Sequence, residues 1–61
     1  MDKLVKELKS IMEERGFSCE TVAKFIGCSG RQVDRWLREE AKPTLVYLRL
    51  IKRGIRRMKA L

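Results

Sequence analysis

At 61 residues the chain has room for one domain, and a body of that size buries only about 60% of the surface its unfolded form would expose. Fifteen Lys and Arg against eight Asp and Glu give a net charge of +7, which favours a polyanionic partner, either nucleic acid or an anionic membrane surface. The absence of His, of a paired-carboxylate cleft and of a Gly-rich phosphate loop argues against an enzyme, a metal site or a bound cofactor.

The charge is unevenly placed. Met1 to Cys28 carries five bases and five acids, so the whole surplus lies between Ser29 and Leu61. Cys19 and Cys28 are too few for a disulfide scaffold, and a helix between them would hold them roughly 13 Å apart, so two reduced thiols are expected. No apolar run reaches about 18 residues and no signal peptide opens the chain, which predicts a cytoplasmic protein.

In chain order, Asp2 caps a first helix whose apolar positions Leu4, Val5, Leu8, Ile11 and Met12 recur at helical spacing, and Gly16 ends it in a left-handed turn. Phe17 then plugs the core. Ser18 caps a short second helix with Val22, Ala23 and Ile26 on one face, and Gly27 stops it. Ser29 and Gln32 have the spacing of a capping box for a third helix, whose inward stripe is Val33, Trp36 and Leu37 and which should reach about Glu40. Pro43 in "AKPT" breaks the helix, Thr44 caps the next one, and the last helix runs from about Leu45 towards Leu61. No segment alternates as a strand would. The expectation is an all-α single domain, residues 1–61, of four or five helices.

Two short helices joined by a three-residue turn need a small residue where they cross, a glycine where φ is positive and apolar residues on their inner faces. Ala23, Gly27 and the set Val22, Ile26, Val33 and Trp36 meet these demands, with Cys28 beside them. On this spacing "TVAKFIGCSGRQVDRWLREEAKPT" resembles the helix-turn-helix of the phage repressor and Cro family of bacterial regulators. The similarity extends through Trp36, Pro43 and "LVYL", and covers about Met1 to Ile55, with the helix-turn-helix at about 19–38. It implies a lambda-repressor-like fold, double-stranded DNA as partner and a repressor's role in transcription. The family often has Gln at the start of the second helix to hold a backbone phosphate; here that place is Cys19.

The residues argue for DNA independently. At 100° per residue Arg31, Arg35 and Arg38 share an arc opposite Val33 and Trp36. In a major groove Arg can donate twice to guanine and Gln can pair with adenine, which makes Arg31, Gln32 and Arg35 the base readers. Ser29 and Gly30, at a helix N-terminus, together with Arg38, Lys42 and Arg56, are the expected backbone contacts. Asp34 could accept from cytosine N4 or orient Arg31 or Arg38, and it penalises indiscriminate phosphate binding.

On the last helix Tyr47, Leu48, Leu50, Ile51, Ile55, Met58 and Leu61 span one side, and Arg49, Lys52, Arg53, Arg56, Arg57 and Lys59 the other. The apolar side exceeds what so small a core can cover. Ile55, Met58 and Leu61 are therefore the expected contact of a homodimer on DNA. Three alternatives stay open. "GCSGRQVDRWL" is also similar to the helix-turn-helix of recombinases and transposases, which implies a recombination accessory factor. A basic amphipathic helix also suits a membrane surface or a protein partner, and a toxin-binding antitoxin is a further form of the latter. The Ala23/Gly27 turn and the arginine arc favour DNA over a membrane, and no small-molecule ligand is expected.

Overall fold

Four capped helices, each stopped by local chemistry, build the described residues. The structure, a computed structural model, describes residues 2–61. Helix α1 spans Lys3–Arg15, α2 Cys19–Ile26, α3 Gly30–Leu37 and α4 Leu45–Lys59, with no strand among the described residues.

Every N-cap is a short oxygen-bearing side chain that accepts an orphan backbone N–H. Asp2 takes the N–H of Leu4, Ser18 that of Thr21, Ser29 that of Gln32 and Thr44 that of Tyr47. The first two helices end on glycines in the left-handed region, Gly16 at φ 68° and Gly27 at φ 94°, as their sequence positions predict.

Helix α3 departs from expectation. It stops at Leu37 rather than near Glu40, because Glu39 adopts φ 62°. The N–H of Glu39 bonds to the carbonyl of Trp36, and that of Glu40 to the carbonyl of Arg35. That is the paired closure usually built on glycine, here carried by a glutamate, and nothing in its residue type announces it. The capping box is also only half made. Ser29 Oγ accepts from the Gln32 N–H at 3.3 Å, and no bond returns from the Gln32 side chain among the described residues.

Helix α2 is the hub, packing on both α3 and α4, while α1 crosses α4 and touches α3. Between them lies an entirely apolar core of Val5, Leu8, Ile11, Val22, Ala23, Ile26, Val33, Trp36, Ile51, Ile55 and Met58. Burying one such side chain contributes about 1.5–3 kcal/mol, which is why eight-residue helices too short to persist alone are held here. Phe17 stacks on Phe25 at the rim, half-buried, with ring centroids 6.0 Å apart. Trp36 meets Tyr47 edge-on at 5.3 Å and ties the end of α3 to the start of α4. Its Nε1 is the one buried side-chain polar atom without a hydrogen-bond partner among the described residues.

One expectation is overturned by this packing. Ile55 is 4% exposed and Met58 0%, so both are spent inside the subunit and cannot form a dimer contact. Helices α1 and α2 cover more of α4 than its amphipathic pattern alone implies. Of the three proposed residues only Leu61 is exposed, and the other large apolar side chains in solvent are Leu45 and Val46.

Candidate nucleic-acid interface

The candidate surface is the outer side of α3, and its orientation follows from what the inner side does. Val33 and Trp36 are locked into the core, so residues half a turn away must face solvent. Arg31, Arg35 and Arg38 are all exposed there. Arg31 and Arg38 are separated by roughly 10 Å of helix rise, and Arg35 sits between them. The turn that sets this angle uses Gly27 in the left-handed region and Ala23, 2% exposed, under it. Val22 and Ile26 complete the α2 side of the contact.

The other sequence-derived residues are less uniformly placed. Gln32 is half-buried on the flank of the ridge, and its backbone N–H is already taken by Ser29. Ser29 works as a cap, leaving the N–H groups of Gly30 and Arg31 for an outside acceptor. A Cβ on Gly30 would stand 3.0 Å from Cγ of Glu20, so this glycine also permits close packing of α2 on α3 and brings an acidic side chain beside the expected phosphate cradle. Lys42 is exposed in the loop that follows α3. Arg56 is exposed on α4, a helix that packs on α2 and α1, about 18 Å along its axis from Thr44.

A charge pair on the ridge joins Arg38 to Asp34. Arg38 Nε lies 3.2 Å from Oδ1 and 3.1 Å from Oδ2 of Asp34, one turn away. Of the two arginines that could have taken this carboxylate, the structure selects Arg38. Cys19, at the start of α2, feels the same pair: burial pushes its thiol up, the Asp34 carboxylate reinforces the shift, and the Arg38 guanidinium and a backbone hydrogen bond oppose it. Cys28 is raised by burial alone. Both are free thiols held in the neutral form, unlike activated nucleophiles.

Sequence reasoning passed over two residues. Gly30 entered only as a phosphate contact, and Gly54 did not enter at all. A Cβ on Gly54 would lie 2.9 Å from Ile26 Cγ1, so any larger residue there must push α4 and α2 apart or displace Ile26. An isolated glycine in a strong helical pattern was the available signal.

Compared with known proteins, the chain matches no family model, no curated protein and no solved structure. Among the described residues no group of His, Cys, Asp and Glu could hold a metal ion, and no helix is long and apolar enough to cross a membrane.

Proposed function

We propose that this chain is a sequence-specific double-stranded DNA-binding regulator of bacterial or phage type, which lays α3 in the major groove and acts by occupying its site. The observation that carries the reading is the ridge of Arg31, Arg35 and Arg38, exposed on a short helix whose opposite face is fixed in the core. An α-helix fits the major groove, and guanidinium forks match guanine O6 and N7. Arg31 and Arg35 are the base readers, with Gln32 at the margin. Arg38, Lys42 and the N-terminus of α3 at Ser29 and Gly30 serve the backbone, and Arg56 adds sequence-independent attraction. Resemblance to the phage repressor and Cro family supports the same reading. No cofactor is required.

Burial of Ile51, Ile55 and Met58 and partial burial of Tyr47 weigh against a membrane-surface role for α4, since the apolar stripe such a role would insert is largely used by the core. Two copies on a two-fold site would place half-sites about 34 Å apart, and the exposed Leu45, Val46 and Leu61 are the apolar side chains a second copy could meet.

Selection from a random DNA pool tests the reading. A short palindromic consensus is the expected result, and a pool that returns unenriched overturns sequence-specific binding. Sedimentation with the enriched duplex then gives the stoichiometry, and a strict 1:1 complex on a palindromic site overturns the dimer.

A further inference from the structure

We propose that Asp34 is the residue that sets the ratio of specific to non-specific DNA binding, by holding Arg38 through its Nε edge and keeping a carboxylate on the recognition ridge. The inference rests on the DNA reading above and assigns a role within it.

Between Ser29 and Leu61 there are only three acids, and Glu39 and Glu40 lie past the end of α3. Asp34 alone stands on the helix that carries the arginine ridge. Both its oxygens face Arg38 Nε, at 3.2 and 3.1 Å, and its side chain keeps 45% of its exposure, so the charge is presented to solvent rather than buried. Held by Nε, the guanidinium still offers its Nη1 and Nη2 donors as a fork.

Two consequences follow for a polyanion approaching α3. An arbitrary duplex brings phosphates against the ridge, where the carboxylate repels them and offsets the charge that Arg38 offers them. An in-register duplex places base edges there instead, and a cytosine N4 amino group can donate to Asp34 while the Arg38 fork meets its own acceptor undisturbed. Asp34 therefore weakens loose binding more than it weakens fitted binding. It is a positioning residue for Arg38 and a discriminating one for the DNA.

The test uses the full chain, the most enriched duplex from the random pool and a shuffled duplex of equal length, with affinities read at two salt concentrations. Asp34→Ala should bind the shuffled duplex about tenfold more tightly and steepen its salt dependence by about one unit, as one more phosphate is neutralised. Affinity for the enriched duplex should hold or fall, so the ratio of the two drops. Asp34→Asn should follow Asp34→Ala, and Asp34→Glu should restore part of the ratio. In an Arg38→Ala background the change in salt slope should vanish, which a merely structural role for Asp34 would not produce. If the wild-type chain discriminates and Asp34→Ala shifts both duplexes equally, this inference fails and the DNA reading stands. If no duplex is enriched, both fail together.

Discussion

Ile26 of α2 and Gly54 of α4 meet with no room for another carbon: a Cβ on Gly54 would stand 2.9 Å from Ile26 Cγ1, closer than real Cβ atoms approach. Ile26 is 4% exposed, so its branched side chain cannot swing away. Overpacking of this kind costs about 1–3 kcal/mol, against the roughly 1 kcal/mol that alanine regains as a better helix former. Gly54→Ala should therefore lose about 1 kcal/mol net and melt roughly 4–8 °C lower. Thermal unfolding by circular dichroism decides it, and a raised midpoint would show that α4 does not seat on α2 as described.

Gly27 gives the contrasting case. At φ 94° it has nothing within 4 Å of a would-be Cβ, so space is not the constraint and backbone conformation is. Gly27→Ala should cost about 1–2 kcal/mol in urea unfolding, and Gly27→Asn clearly less, because asparagine tolerates the left-handed region. Equal losses for the two variants would mean that the turn is held by something other than its φ.

The helix-ending glycines, unlike Gly54, show what the sequence made legible. Gly16 and Gly27 were readable as stops because each follows an apolar-periodic run and precedes a Ser-capped start or a core aromatic. The arginine ridge was readable too, since Val33 and Trp36 fix the helix phase. Tertiary facts were not. The burial of Ile55 and Met58 depends on how α1 crosses α4, and the left-handed Glu39 that ends α3 depends on the loop's path rather than on residue type. The choice of Arg38 over Arg31 as partner of Asp34 needed side-chain positions, because both spacings allow a pair on a helix.

The two thiols carry a pH signature. Burial raises both above the ordinary thiol range, with Asp34 adding to the effect at Cys19 and Arg38 opposing it. A folded pKa above the unfolded one means that this contribution to stability is complete below the unfolded value, about pH 8.5, and is lost as pH rises through the folded value. Stability of the wild type should thus fall more steeply on the alkaline side than that of a Cys19→Ala, Cys28→Ala chain. Alkylation at pH 8 should likewise be slower for the folded protein than for the same thiols in urea. Parallel alkaline limbs in the two chains would contradict the assignment.

The assignment of base readers separates two neighbouring cations by what they do to sequence preference. Arg35 sits one turn beyond Arg31 on the exposed side of α3, while Lys42 is exposed in the loop that follows α3; in the proposed complex the first reads a base and the second meets a phosphate. Arg35→Ala should lose about 1–3 kcal/mol on the enriched duplex and relax preference at one base position, with much less change on a shuffled duplex. Lys42→Ala should weaken both duplexes alike and lower the salt slope by about one unit, as the loss of one phosphate contact requires. Neither side chain enters the core, so both variants should melt with the wild type. Competition with systematically altered duplexes at two salt concentrations reads both effects. If Arg35→Ala instead behaves as Lys42→Ala should, with uniform loss and an unchanged consensus, then α3 does not read bases and its arginines serve only to attract the polyanion.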